Sequence, residues 1–266
     1  MAPQTIDQPA MIRIEDVRDE ADEVCTLWLA HTLDFQPGQF VMIWIPRLDE
    51  KPYTISAVSD DRIALTVRRR GVFSSRLMEM QPGDHLGIRG PYGKGFEIRS
   101  PGVIVAGGCG LAPLAPLKDA APEMPVIHGA RTASELLFRE RYPDMAICTD
   151  DGSEGHAGFP TDLLRPILEA KPIHTVYTCG PEVMMRAVFD LCEQFGVECQ
   201  AGLERYMKCG FGICGQCTCD DRLVCQYGPV FNSDALRTMQ EFGHTARLKS
   251  GKRVSLPEYA NPKNCY

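Results

Sequence analysis

Apolar, β-branched and aromatic residues gather in short runs through the first hundred residues, and polar turn residues separate the runs. Such runs predict β-strands, here over 10–16, 22–29, 40–45, 53–58 and 62–68. Gln-Pro-Gly at 36–38 and Gln-Pro-Gly-Asp at 81–84 supply turns between them. Several short strands at this spacing indicate a small antiparallel β-barrel, with one helix expected over 74–80.

The pattern changes at Gly102. Residues 103–106 form a continuous apolar run, which is typical of a strand buried on both faces of a parallel sheet. A glycine-rich turn and a helix over about 112–120 are expected to follow it. Further strands over 124–128, 145–149 and 174–178 alternate with expected helices over 133–140, 160–170 and 181–195. This alternation predicts a parallel α/β unit.

The rest of the chain is a Cys- and Gly-rich stretch over 200–230 and a polar tail over 232–266, with one short helix expected at 234–242. The predicted fold class is therefore multidomain, all-β plus α/β. We expect an N-terminal antiparallel β-barrel over 1–99, a parallel α/β nucleotide-binding domain over 100–199 and a C-terminal cap over 200–266.

Composition narrows the class of partner. A chain of 266 residues has room for two domains and an appendage, and 44% hydrophobic with 24% charged residues is ordinary for a globular protein. The net charge of -7 argues against nucleic acid or an anionic membrane surface as the main partner. There is no apolar run of transmembrane length, and the first eight residues show no secretory signal.

Twelve cysteines in this chain need a different explanation from disulfides. Five of them fall between residues 209 and 225 in a metal-ligand pattern, and Cys109, Cys148, Cys179 and Cys192 lie in apolar or glycine-rich surroundings. Disulfide frameworks belong to small secreted domains. We therefore expect a protein of the reducing cytoplasm.

The strongest chemical signal is the spacing of four of these cysteines. Cys209, Cys214 and Cys217 form a C-x4-C-x2-C pattern, and Cys225 follows after seven residues. This pattern predicts ligation of a plant-type [2Fe-2S] cluster, although plant-type ferredoxins use a much longer return to the fourth cysteine. The alternative is a four-cysteine zinc site, which normally uses paired C-x2–4-C motifs. Cys219 could replace one ligand, but we interpret it as a bystander.

Two segments of the predicted barrel suit a flavin. A cation, a rigid proline, an aromatic ring and a hydroxyl stand in succession at Lys51, Pro52, Tyr53 and Thr54. The charge can meet a phosphate, the ring can stack on the isoalloxazine, and the hydroxyl can reach its redox-active edge. The alternative is a surface hairpin with a core tyrosine.

Downstream, cations and hydroxyls precede the expected helix, whose N-terminus favours an anion. The candidate diphosphate residues there are Val67, Arg68, Ser74 and Ser75. A solvated basic turn is the alternative. The Gly-Pro-Tyr-Gly-Lys-Gly-Phe stretch at 90–96 could back a flat ring, or it could be a tight turn and nothing more.

Two segments of the α/β unit suit a nucleotide. The turn after the 103–106 strand can cradle a pyrophosphate at a helix N-terminus, through Gly107, Gly108, Gly110 and Pro113. It lacks the full G-x-G-x-x-G pattern. A later strand ends at Cys179, Gly180 and Pro181, and the carboxyl ends of parallel strands are where open α/β sheets bind ligands. A small buried cysteine is the alternative explanation for Cys179.

Taken in order, the segments KPYT, GPYGKGF, GGCGLAP and CGP resemble the motifs of the ferredoxin-reductase-like flavoprotein family. In that family they serve flavin binding, barrel closure, the nicotinamide nucleotide's pyrophosphate and the nicotinamide. Lys51 stands where the family usually has Arg, which loses a bidentate fork, and Ser74 stands where Thr is commoner.

The C-terminal part, with Glu-Arg-Tyr-Met-Lys-Cys-Gly at 204–210 and the cysteines that follow, is similar to the electron transfer subunits of NAD-dependent, B-type dihydroorotate dehydrogenases. The resemblance implies FAD, one [2Fe-2S] cluster on Cys209, Cys214, Cys217 and Cys225, and NAD as acceptor. It also implies a separate FMN-bearing catalytic subunit, in a heterotetramer of two plus two, and a place in pyrimidine biosynthesis.

Two other functions stay open. The first is the flavin subunit of a ferredoxin-NADP transhydrogenase or sulfide dehydrogenase, which shares this layout. The second, of another class, is a zinc-stabilised interaction module. No catalytic acid or base is expected in this chain, and His128 is interpreted as structural. We expect NAD over NADP, because Arg131 is the one cation near the expected ribose site while Asp150 and Asp151 add negative charge.

Overall fold

The predicted barrel is present and closed in the computed structural model, which describes residues 8–261. The N-terminal residues 1–7 and the end of the tail at 262–266 lie outside the described part. Six antiparallel strands pair in the order β1-β2-β5-β4-β3-β6. The barrel elements are β1 (Ala10–Ala21), β2 (Val24–Leu29), β3 (Phe40–Ile45), β4 (Asp49–Val58), β5 (Ile63–Arg68), α1 (Val72–Met78) and β6 (His85–Tyr92).

Strand β6 was not expected from the sequence, yet it closes the barrel by pairing with both β1 and β3. Leu86 and Ile88 point into the core, but Gly87, Gly90 and Pro91 weaken the strand pattern between and after them. Pairing with two neighbours outweighs this weak local preference. The barrel core is aliphatic, with Leu27, Ile43 and other side chains fully buried.

The predicted parallel α/β unit is also present. Its elements are β7 (Gly102–Gly107), α2 (Leu111–Ala120), β8 (Val126–Ala130), β9 (Ala146–Thr149), β10 (His156–Ala157), α3 (Pro160–Ala170), β11 (Thr175–Cys179), α4 (Glu182–Phe195) and β12 (Glu198–Gly202). A one-turn 3-10 helix, Gly108–Gly110, joins β7 to α2.

The cysteine-rich segment and tail form short elements. They are β13 (Thr218–Cys219), β14 (Arg222–Leu223), α5 (Val224–Tyr227), β15 (Val230–Asn232), α6 (Ser233–Thr238), β16 (Thr245–Arg247), β17 (Arg253–Ser255) and α7 (Leu256–Ala260). Strand β15 pairs antiparallel with β12 and completes a seven-stranded sheet of order β10-β9-β8-β7-β11-β12-β15. The cysteine-rich segment is thereby joined to the nucleotide sheet. The expected boundary between residues 199 and 200 falls inside β12.

One expected helix is wrong, and another is shorter than expected. The helix expected over 133–140 is a 3-10 turn at Ala133–Glu135 followed by extended chain. Leu136, Leu137 and Phe138 are all buried in succession, which one face of a helix cannot achieve. The helix expected at 234–242 ends at Thr238. The tail is also less polar than expected, because Met239 and Phe242 lie in the core.

One apolar core unites the three parts of the chain. Phe40 and Met42 of the barrel pack in the same cluster as Val105 and Met185 of the α/β unit and Met207 of the cysteine-rich segment. The candidate site therefore lies on a shared core. No helix within residues 8–261 is long and apolar enough to cross a membrane.

Candidate functional site

The cysteine loop connects β12 to the short hairpin of β13 and β14. Cys214 is exposed, Cys209 is half-buried, and Cys217 and Cys225 are buried. Three glycines in the loop adopt positive φ, with Gly210 at 86°, Gly212 at 93° and Gly215 at 71°. Residues with a Cβ rarely adopt this conformation, so the glycines are what allow the loop to turn back on itself.

The four predicted ligands lie in two hydrogen-bonded pairs, Cys209 with Cys214 and Cys217 with Cys225. Burial acts to raise the pKa of Cys209, but the backbone N–H groups of Cys214, Phe211 and Ile213 and the Cys214 thiol bond to its sulfur and lower that pKa to about 6. A ring of backbone donors of this kind stabilises a thiolate.

The second pair is Cys217 with Cys225. The Cys225 thiol donates to the Cys217 sulfur, and the Cys225 backbone N–H adds a bond of 3.3 Å, so the pKa of Cys217 falls to about 7 while that of Cys225 is raised. Cys209 lies close enough to both to act on them electrostatically. The lowered pKa values of Cys209 and Cys217 favour the thiolate, which is the form that binds iron.

This donor set fits an iron-sulfur cluster in chemistry. The cysteines remain in two pairs, and among residues 8–261 no group of three or more His, Cys, Asp or Glu side chains is gathered closely enough to hold a metal ion. The ligand set Cys209, Cys214, Cys217 and Cys225 therefore stays a prediction.

Cys219 occupies a separate environment. It is fully buried, its sulfur accepts a hydrogen bond of 3.3 Å from Arg205, and burial raises its pKa to about 11. A thiol that keeps its proton is a poor metal ligand. This environment is consistent with Cys219 as a bystander.

The predicted flavin residues lie along β4, all half-buried, at Lys51, Pro52, Tyr53 and Thr54. The Tyr53 ring is stacked near the Phe73 ring of α1, with centroids 6.3 Å apart. Lys51 Nζ contacts Asp49 at 2.5 Å and lies 5.2 Å from the centre of the Tyr206 ring. The cation is therefore held between the barrel and the cysteine-rich segment.

The predicted diphosphate residues surround the turn between β5 and α1. Val67 is fully buried in the barrel core, which leaves its backbone as the part that can meet a ligand. The Ser74 hydroxyl accepts bonds from the backbone N–H groups of Arg70 (2.8 Å) and Gly71 (3.0 Å), so it stabilises the turn itself. Ser75 is half-buried beside it.

The two predicted nucleotide turns lie against each other. A Cβ added at Gly110 would stand 2.1 Å from the carbonyl oxygen of Cys179, and one at Gly180 would stand 2.8 Å from the Cα of Gly107. Parallel pairing of β7 with β11 sets this approach. Gly107, Gly108, Gly110 and the half-buried Pro113 are thereby brought together with Cys179, Gly180 and Pro181 at one edge of the sheet.

Arg68 links the flavin and nucleotide segments. Its guanidinium would lie 3.7 Å from a Cβ at Gly108 and forms an ion pair of 3.3 Å with Glu135. Glu135 also binds Arg131 through two bonds, one of them 3.2 Å long. Arg131, the cation expected near the ribose, is therefore already neutralised by a carboxylate.

Two buried arginines were missed from the sequence. Arg89 of β6 forms a bidentate pair with Glu50 at 2.6 Å for both bonds, and it lies 5.5 Å from the centre of the Phe211 ring in the cysteine loop. Arg205 forms a bidentate pair with Glu182. A charged residue in the middle of β6 could have marked Arg89 as a functional candidate. Nothing in the sequence indicates that Glu50, 39 positions away, is its partner.

Comparison with known proteins agrees with this arrangement. Residues 25–96 match an oxidoreductase FAD-binding domain, and residues 204–237 match the iron-sulfur cluster binding domain of dihydroorotate dehydrogenase B. The barrel and the cysteine loop thus define a flavin- and iron-sulfur-dependent oxidoreductase that transfers electrons.

Similar chains name the particular family. A probable dihydroorotate dehydrogenase B (NAD(+)), electron transfer subunit, of Methanocaldococcus jannaschii is 40% identical over 94% of this chain and 99% of that one. The protein of the same description from Thermoplasma acidophilum is 42% identical over 92% of this chain and 98% of that one. The chain belongs to the family of electron transfer subunits of dihydroorotate dehydrogenase B.

Solved structures extend the comparison. The structure of an NADH-dependent reduced ferredoxin-NADP oxidoreductase is 26% identical, covers 85% of this chain and 89% of its own, and superposes with a TM-score of 0.76. Phthalate dioxygenase reductase, at 21% identity, a TM-score of 0.58 and coverage of 73% of this chain and 66% of its own, shares the fold. The expected fold, the family, and the FAD and iron-sulfur cofactors are confirmed.

Proposed function

We propose that this chain carries electrons from the FMN of a dihydroorotate dehydrogenase catalytic subunit, through its [2Fe-2S] cluster and FAD, to NAD in orotate synthesis. When bound, the cluster supplies one-electron transfer and FAD supplies exchange between single electrons and a hydride. The observation that carries the proposal is the cysteine loop packed on the same core as both nucleotide-binding segments. A subunit of this family works with a separate catalytic subunit.

The cluster would be held by Cys209, Cys214, Cys217 and Cys225. The backbone N–H groups of Phe211, Ile213 and Cys214, which bond to the Cys209 sulfur, would then stabilise negative charge on the ligand sulfurs. Cys219, bonded to Arg205, would remain outside the ligand set.

The flavin would lie on the barrel face formed by Lys51, Pro52, Tyr53 and Thr54. Its diphosphate would lie at the turn formed by Val67, Arg68, Ser74 and Ser75. Arg70, an exposed cation in the same turn, adds positive charge there. The Tyr53 ring, half-buried beside Phe73, offers an aromatic face of the kind that stacks on a flat ring.

NAD would bind where the two nucleotide turns meet. Gly107, Gly108, Gly110 and Pro113 would hold its pyrophosphate, and Cys179, Gly180 and Pro181 would lie beside the nicotinamide. The Cys179 thiol donates to the Gly202 carbonyl at 3.3 Å, and burial raises its pKa to about 12. A thiol that stays protonated would be an uncharged wall of the pocket, with no role as a nucleophile.

The catalytic subunit would dock over the cysteine loop. Ile213 is 78% exposed, Tyr227 49% and Phe211 38%, an unusual exposure for three apolar or aromatic side chains so close together. Aromatic and aliphatic anchors of this kind commonly form the centre of an interface. Docking there would bring the cluster close to the partner's FMN.

We propose a heterotetramer that contains two copies of each subunit. We also propose that it works in a reducing cytoplasm, which suits the free cysteines of residues 8–261.

Expression with and without the catalytic subunit tests the proposal. The isolated chain should contain flavin, iron and sulfide and should oxidise NADH with artificial acceptors, but it should not oxidise dihydroorotate. Co-expression should give a stable complex that couples dihydroorotate to NAD. Oxidation of dihydroorotate by this chain alone, or no complex with an FMN-bearing partner, would contradict it.

A second candidate is a ferredoxin-NADP oxidoreductase subunit, favoured by the structural similarity at a TM-score of 0.76. The longer and stronger sequence similarity, 40% over 94% of the chain, favours the dihydroorotate system. A complex that transfers electrons between ferredoxin and NADPH but not from dihydroorotate would establish the second candidate.

A further inference from the structure

The ion pair between Arg205 and Glu182 is the most buried one in the described part of the chain, with side-chain exposures of 1% and 9%. Arg205 stands four positions before Cys209, at the entrance to the cysteine loop. Glu182 is the first residue of α4 and directly follows Pro181 of the nucleotide turn. The pair therefore joins the proposed cluster site to the proposed nicotinamide site.

Both partners make further bonds, and each bond reaches a different segment. Arg205 donates a hydrogen bond of 3.3 Å to the sulfur of Cys219, and Cys219 lies two residues beyond Cys217. Glu182 accepts from the backbone N–H of Gly243 at 2.8 Å. One carboxylate and one guanidinium thus fix both flanks of the cysteine loop, the start of α4 and the tail.

The neighbouring residue extends the contact to the barrel. The Tyr206 ring lies 5.2 Å from Nζ of Lys51 in the flavin-binding strand β4. Consecutive side chains of residues 205 and 206 therefore touch the nucleotide unit on one side and the barrel on the other. This short stretch of chain therefore contacts the start of α4, the cysteine-rich segment and the flavin-binding strand.

Stability alone is a poor reason for this ion pair. Burying two charges costs more than their attraction usually returns, and apolar replacements are often as stable. Arg205 Nε is buried and has no hydrogen-bond partner, which adds to the cost. What a bidentate pair does supply is a fixed geometry between the groups that it joins.

We propose that Arg205 is a positioning residue that holds the nicotinamide turn at Cys179–Pro181 and the cysteine loop in a fixed relation through Glu182 and Cys219. The proposal rests on the function proposed above. The Glu182 carboxylate fixes the start of α4. Pro181 packs tightly against Gly107, because a Cβ at Gly107 would stand 2.7 Å from the proline ring. The position of α4 therefore also determines the position of the pyrophosphate turn.

Arg205→Lys tests the proposal in the complete complex, since it keeps the charge and removes the fork. Arg237→Lys is the matched control. Arg237 forms a bidentate pair, at 2.6 and 2.9 Å, with Glu193 of α4, the helix that begins at Glu182. The side chains of Arg237 and Glu193 are 50% and 31% exposed, so this pair is not buried. Because lysine cannot hold Glu182 through two bonds, the nicotinamide turn should shift, and we expect Arg205→Lys to raise KM for NADH about tenfold, with kcat for an artificial acceptor within about twofold of wild type. We also expect a changed EPR line shape of the reduced cluster at unchanged iron content.

Glu182→Gln is the second variant, because the amide preserves shape and some hydrogen bonding if Arg205→Lys does not fold. It should raise KM and alter the EPR line shape in the same way. Wild-type values of both quantities in a folded variant, or equal changes in Arg237→Lys, would overturn the proposal. A wild-type complex without cluster or NADH oxidation would instead refute the proposed function, so the two failures are distinguishable.

Discussion

The nucleotide turns and the cysteine loop both depend on glycine, but for different physical reasons. At the nucleotide turns the glycines provide space, because a Cβ at Gly110 would lie 2.1 Å from a backbone oxygen that cannot move aside. In the cysteine loop the glycines adopt positive φ, and at Gly215, with φ of 71°, conformation is the only constraint, because a Cβ there would meet nothing within 4 Å. The nucleotide site is thus formed by packed backbone before any ligand binds.

In the cysteine loop, by contrast, the predicted ligands are side-chain sulfurs, and packed backbone does not form the site. Its sulfurs lie in two hydrogen-bonded pairs, and thiols must lose their protons when iron binds. Metal binding should therefore order the loop, whereas nucleotide binding should change the turns little. Substitutions at the two regions should accordingly fail in different ways.

The largest effect is expected from Cys217→Ser. A serine hydroxyl is a far poorer ligand for iron than a thiolate, so iron, sulfide and the EPR signal of the reduced cluster should be lost or severely reduced. Cys219→Ser is the matched control, two residues away, and should leave the cluster nearly intact. Loss of the EPR signal in Cys219→Ser but not in Cys217→Ser would overturn the ligand assignment.

Gly110→Ala tests whether the nucleotide turns depend on close backbone packing. The added Cβ would overlap the Cys179 carbonyl, so we expect the free energy of unfolding to fall by about 3 kcal/mol and KM for NADH to rise, with iron content unchanged. Gly196→Ala is the control, since Gly196 has φ of 65° with nothing within 4 Å, and should cost about 1 kcal/mol from backbone strain alone. Denaturant titration measures both. Equal losses would show that space at Gly110 is not the constraint.

Lys51→Ala tests the flavin side. If Lys51 binds a flavin phosphate as predicted, its removal should weaken FAD binding by about 1–3 kcal/mol, measured by fluorescence titration of the apoprotein. Lys51→Arg is the control, because it restores the bidentate fork usual in the family and should retain FAD at least as well. Unchanged FAD affinity in Lys51→Ala would show that Lys51 does not bind FAD and that its role is structural, through its contacts with Asp49 and Tyr206.

These regions also differ in how far the sequence could predict them. Cysteine spacing and the glycine-rich turns are local signals, and the segments carrying them fold where expected. Strands β6 and β15 are short or interrupted and depend on partners far along the chain, so local preference could not reveal them. The pairs of Arg205 with Glu182 and Arg89 with Glu50 join positions 23 and 39 apart. Only the fold brings such charges together.

The smallest effect concerns the choice between NAD and NADP, at the edge of the rigid nucleotide site. Glu135 is largely buried and binds both Arg131 and Arg68. Burial acts to raise its pKa, but these arginines outweigh that effect and lower it, so Glu135 is charged at neutral pH. If the ribose binds beside Arg131 as expected, this carboxylate would repel a 2′-phosphate and would occupy the cation that could bind it.

Glu135→Gln should therefore free Arg131 and reduce the preference for NADH over NADPH by roughly fivefold in kcat/KM, about 1 kcal/mol of lost repulsion. Glu193→Gln is the control, because Glu193 also forms a bidentate pair with an arginine, Arg237, but lies near the end of α4, away from both nucleotide turns. The ratio of kcat/KM values for the two nucleotides, measured with an artificial acceptor, provides the readout. Comparable rates with both nucleotides in the wild type would contradict the expected preference for NAD. An unchanged ratio in Glu135→Gln would show that packed backbone at the turns, rather than this carboxylate, selects the nucleotide.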